Sequence, residues 1–86
     1  MRHGMGKFQL LTRADCHLCD EFQRAFHEWN SAGRNRSLEV LYIDDDVVLM
    51  RRYGLKVPVL LCGHEEIAFG HFDASAVERF LRTFQV

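Results

Sequence analysis

Lys7-Phe8-Gln9-Leu10-Leu11-Thr12-Arg13-Ala14-Asp15-Cys16-His17-Leu18-Cys19 runs from a strand-like apolar segment, through a polar connection, into two thiols at the head of a helical pattern. Two cysteines three residues apart on one helical turn share a face, with Cα atoms near the roughly 5.5 Å separation that a disulfide prefers. Such a pair opens and closes reversibly. The same spacing also serves as a metal knuckle or as two small core residues, so its context has to choose among them.

Working outward, Lys7 to Leu11 reads as a first strand and Thr12 to Asp15 as its loop. From Leu18 the apolar residues Phe22, Ala25, Phe26 and Trp29 recur at helical spacing, while Asp20, Glu21, Arg24 and Glu28 face away. Asp15 is the expected N-cap of this helix and Gly33 its C-terminal stop. Leu38 to Ile43 reads as a second strand, and strand, helix, strand in that order implies a parallel pair with a right-handed crossover. Asp44-Asp45-Asp46 then caps a short helix that Gly54 closes; capping and a solvated turn explain the three carboxylates without a metal. Val57 to Cys62 and Glu66 to Phe69 form a hairpin across the turn at Gly63-His64-Glu65. Gly70-His71-Phe72 breaks the run, and Asp73 caps a last helix with Ala76, Val77, Phe80, Leu81 and Phe84 as its apolar stripe.

With 86 residues, 48% of them hydrophobic, the chain (1–86) is long enough for one core and too short for two. Eleven Lys and Arg balance twelve Asp and Glu, which gives no basic footprint for nucleic acid. Residues 1–6 lack the apolar core of a secretory signal and read as a loose, flexible leader. The longest apolar stretch, Val57 to Cys62, falls far short of the roughly 20 residues that span a bilayer. The expectation is a soluble, cytoplasmic monomer with no membrane partner. Three cysteines, two of them closely spaced, fit one redox-active pair in a reducing compartment better than a secreted disulfide framework.

The order βαβ, short helix, ββα, with Cys16-His17-Leu18-Cys19 at the first strand-to-helix junction and Tyr53-Gly54-Leu55-Lys56-Val57-Pro58-Val59-Leu60 opening the third strand, resembles the thioredoxin superfamily. It is most similar to the small glutaredoxin-like domains, over Lys7 to Phe84. The resemblance implies an α/β fold, a four-stranded mixed sheet flanked by helices. It also implies a cis bond before Pro58, which stands beside the cysteines, and a backbone at Val57 that pairs with extended substrate.

On this resemblance the chain is a dithiol thiol-disulfide oxidoreductase. Cys16, at the helix mouth, attacks the disulfide of a protein or a glutathione mixed disulfide, and Cys19 resolves the intermediate. No cofactor need be bound; glutathione or a thioredoxin-type reductase supplies electrons. Arg13 stands where glutaredoxins often carry a lysine, and its cation suits a thiolate or a glutathione carboxylate. His17 departs from the usual proline-aromatic pair and, as an imidazolium, would favour the thiolate. Gly70 and Asp73 are the two positions that map onto the signature holding the γ-glutamyl end of glutathione. Asp15, Asp20 and Glu21 act in the opposite sense, disfavouring a thiolate and an anionic ligand. Cys62 reads as a small buried hydrophobe.

Two other readings stay open. Cys16, Cys19, Cys62 and His64 supply the ligand types of a four-coordinate zinc module. A thioredoxin-fold interaction module with idle cysteines would have much the same sequence.

Overall fold

Between Lys7 and Thr12 the side chains alternate, and the alternation builds two cores on one sheet. The computed structural model describes residues 7–84, so the expected leader at 1–6 lies outside the described residues. The elements are β1 (Lys7–Thr12), α1 (His17–Ser31), β2 (Ser37–Tyr42), α2 (Val47–Tyr53), β3 (Val59–Cys62), β4 (Glu65–Phe69) and α3 (Ala74–Phe84). The sheet order is β2-β1-β3-β4, with β1 and β2 parallel and the other neighbours antiparallel. This is the thioredoxin-like α/β architecture expected from the sequence.

Phe8 and Leu10 point to one face, where they pack with Leu60, Cys62, Phe22, Phe26, Trp29 and Val77 beneath α1 and α3. Leu11 points to the other face and joins Val59 and Ile43 under Leu49, Met50 and Tyr53 of α2. Period two in the strands therefore divides the helices between the two faces. Each large side chain fully withdrawn from water contributes about 2 kcal/mol. Phe72, which reads from sequence as part of a chain break, packs against the first core. Its ring lies 5.6, 5.8 and 5.9 Å from the rings of Phe22, Phe26 and Trp29, which fastens the β4–α3 connection to α1.

Several boundaries differ from expectation. Helix α1 starts at His17 and ends at Ser31; Gly33, at φ 97°, takes the left-handed backbone that turns the chain away just beyond. Strand β2 ends at Tyr42, although the Ile43 N–H still donates to the Thr12 carbonyl at 3.0 Å. The third strand begins at Val59 and not Val57. Pro58 has no N–H for a ladder, and its carbonyl accepts the Gly70 N–H at 2.8 Å. Register pairs Thr12 with Tyr42, Leu11 with Val59, and Val59 with Phe69. The ends of β1, β2 and β4 and the start of β3 thus share one edge of the sheet, and their loops converge there.

Candidate active site

Cys16 sits at that edge as the N-cap of α1, with extended backbone at φ −113° and ψ 104°. Its Sγ accepts the Cys19 N–H at 3.2 Å, and its carbonyl accepts the Asp20 N–H at 3.1 Å. Asp15 is therefore not the cap that the sequence reading expected. It lies one residue outside the helix at φ 56°, a left-handed conformation that aspartate tolerates better than most residues. A sulfur as cap places the dipole's positive end and a free backbone donor at the atom that would carry the thiolate charge.

Cys16 and Cys19 stand at disulfide distance, with Cα atoms 5.2 Å apart. Cys16 is half-buried, whereas Cys19 is 2% exposed. The pair thus has an outer and an inner sulfur. Behind it, the loop from Arg13 to Asp15 is held from another element: the Ala14 N–H lies 3.2 Å from both carboxylate oxygens of Asp44, in the β2–α2 loop. Sequence reasoning missed this contact by giving the three aspartates to capping and a solvated turn. Asp46 alone caps the helix, accepting the Leu49 N–H at 3.0 Å. The signal available was the parallel pair itself, because the C-terminal ends of adjacent parallel strands bring their loops together.

The Val57–Pro58 bond is cis, and Pro58 is buried. The Val57 side chain packs against the core under α2, and its N–H donates to the Tyr53 carbonyl at 3.1 Å. Gly70, at φ 80°, is tied to Pro58 by the hydrogen bond already described. A groove of about 220 Å³ beside α1 is lined by Leu18, Glu21, Phe22, Ala25, Gly70, His71 and Phe72. A larger depression of about 580 Å³ runs along the polar face of α1 against Leu38 and includes no expected site residue.

The remaining expected residues fare differently. Arg13 is half-buried in the β1–α1 loop, and its Nε has no hydrogen-bond partner among the described residues. His17 is turned to solvent and to its own helix, with Nε2 2.9 Å from Glu21 Oε2 one turn on. Asp73 caps α3, accepting the Ala76 N–H at 3.1 Å. Cys62 is 1% exposed and opposes Phe8, at the far end of β1 from the site. Burial pushes its thiol up and the Arg36 cation partly offsets this. With Cys62 three residues down β3 from Val59, the four-ligand zinc reading does not assemble. No group of three or more His, Cys, Asp or Glu among the described residues is placed to hold a metal. Nor is any described helix long and apolar enough to cross a membrane.

Residues 7–82 match the family described as Glutaredoxin-like domain (DUF836). Among solved structures, the X-ray structure of protein XcR50 from X. campestris is 35% identical, with a TM-score of 0.67 over 88% of this chain and 96% of that one. The solution structure of XcR50 gives 35% identity and a TM-score of 0.65 over 90% and 94% of the two chains. Protein Ne2328 from Nitrosomonas europaea is 28% identical, with a TM-score of 0.75 over 86% of this chain and 88% of that one. No curated protein matches the chain.

Proposed function

The chain belongs to the glutaredoxin-like domain family, and from that premise we propose that it is a dithiol thiol-disulfide oxidoreductase working through Cys16 and Cys19. The observation that carries this reading is the cap: Cys16 Sγ receives a backbone N–H at the mouth of α1 while Cys19 waits, buried, at disulfide distance. A structural disulfide needs neither the helix N-terminus nor a partner open to solvent. A nucleophile needs access, and the helix N-terminus favours its thiolate.

In this reading the Cys16 thiolate attacks one sulfur of a substrate disulfide, and the other sulfur leaves as a thiolate that takes a proton. Cys19, after losing its own proton, then attacks Cys16 Sγ. The substrate leaves with two thiols, and the two electrons come from the protein, which ends with the Cys16–Cys19 bond. Glutathione or a thioredoxin-type reductase returns it to the dithiol, with no bound cofactor. The substrate is a protein disulfide or a glutathione mixed disulfide, met by a cytoplasmic monomer.

Extended substrate would lie along Val57 and Pro58. Since the Val57 N–H is already engaged by Tyr53, its carbonyl is the group left to pair with an incoming amide. Arg13 supplies the one cation in the β1–α1 loop, and Gly70 lines the groove where a γ-glutamyl end or a flanking side chain would rest. Asp73 contributes by capping α3, and His17 is turned to Glu21 one turn along its own helix.

The test is steady-state reduction of a protein disulfide and of a glutathione mixed disulfide by wild type, Cys16→Ser and Cys19→Ser. Cys16→Ser is expected to fall to the uncatalysed background with both substrates, and Cys19→Ser to accumulate substrate bound to Cys16. Undiminished turnover by Cys16→Ser would end the proposal.

A further inference from the structure

We propose that Asp44 is a positioning residue for Cys16, holding from a second loop the turn that presents the attacking sulfur. The inference rests on Cys16 being the nucleophile and adds a residue that the CxxC pair itself does not reveal. The connection from Thr12 to Cys16 contains no glycine, yet Asp15 within it takes φ 56° and Cys16 must still meet the first turn of α1 as its cap. Such a turn needs an external hold. Two contacts from the end of β2 supply it: Ile43 N–H to the Thr12 carbonyl at 3.0 Å, and Ala14 N–H to the Asp44 carboxylate, 3.2 Å from each oxygen. The first continues the strand pairing and any residue could make it. The second needs a side-chain acceptor at position 44.

Asp44 has two effects of opposite sign on the thiol. Its charge, held on the Ala14 N–H two residues before Cys16, disfavours the thiolate; its grip on Ala14 keeps Sγ against the Cys19 N–H that favours it. Two neutral substitutions separate them. Asp44→Asn removes the charge and retains a carbonyl acceptor, whereas Asp44→Ala removes both.

The measurement is the rate of Cys16 alkylation by iodoacetamide in the reduced protein as a function of pH, followed by peptide mass spectrometry, with circular dichroism to confirm that each variant is folded. Loss of one hydrogen bond of ordinary strength should leave Asp44→Ala roughly fivefold less reactive at neutral pH than Asp44→Asn, with its midpoint at higher pH. Asp45→Asn, which removes a neighbouring charge without touching Ala14, should keep the wild-type midpoint more closely than Asp44→Ala keeps that of Asp44→Asn. Coincident profiles for Asp44→Ala and Asp44→Asn would overturn the inference. If instead the wild type reduced no disulfide, the enzymatic reading would fall while the alkylation profiles still decided the role of Asp44.

Discussion

Three thiols in one small chain differ by where the backbone puts them. Cys16 is half-buried with an N–H aimed at its sulfur, Cys19 lies behind it at 2% exposure, and Cys62 is sealed at 1% in the sheet. Cys62 stays protonated through neutral pH because burial raises its thiol above the ordinary range, and a buried thiol is shielded from reagents as well. Alkylation of the reduced, folded protein should therefore label Cys16 first and Cys62 only on denaturation. Labelling of Cys62 at the rate of Cys16 would contradict this assignment. The sequence carried the identity of the reactive pair but not its cap. Asp15 and Cys16 are both chemically able to cap, and the choice turned on which one takes the left-handed backbone just outside the helix. His17 was read as favouring the thiolate and Glu21 as disfavouring it, although their spacing of four residues already allowed them to pair with each other.

Among the elements, α1 and α3 are joined by more than their apolar faces. The Trp29 indole N–H donates to Glu78 Oε2 at 3.0 Å, Arg34 reaches the same oxygen at 2.9 Å, and its guanidinium lies 4.8 Å from the centre of the Trp29 ring. The indole hydrogen bond first, and then Arg34, hold the Glu78 carboxyl below the usual carboxylate range. Its folded pKa is thus lower than its unfolded one, so the contribution is complete above the ordinary value of about 4.3 and is lost as pH falls through the folded value. Thermal melts should show wild type losing its advantage over Glu78→Gln over the acid range below the ordinary carboxylate value of about 4.3. A difference that stays constant across that range would mean that the charge of Glu78 contributes nothing. Sequence periodicity identified α1 and α3 because both bury an apolar stripe, whereas this clasp joins residues 49 positions apart and leaves no local pattern. Phe72 escaped notice for the same reason, being a partly buried ring packed against the core from a loop with no period to mark it.

At the scale of the whole molecule, the order of elements was readable because the strands are short apolar runs bounded by turn residues and each long helix keeps one apolar face. The convergence of loops at one edge was not, because it depends on register. Asp44 meets Ala14 only once β1 and β2 are aligned with Thr12 beside Tyr42. The same alignment bears on whether Cys16–Cys19 is a staple or a working pair. Cores on both faces of the sheet hold the fold without it, through Phe8, Leu10, Phe22, Phe26, Leu60 and Val77 on one side and Leu11, Ile43 and Val59 on the other. A bond between residues three apart closes a very short loop, and the chain-entropy relation gives it only about 2 kcal/mol. For a domain of this size each kcal/mol moves the melting temperature by about 4–8 °C. Reduction should therefore lower the melting temperature by no more than about 15 °C and leave the far-ultraviolet circular dichroism of the folded protein unchanged. A chain that unfolded on reduction at room temperature would show that the pair holds the structure together, and an enzyme that must pass through the dithiol in every cycle could not be built that way.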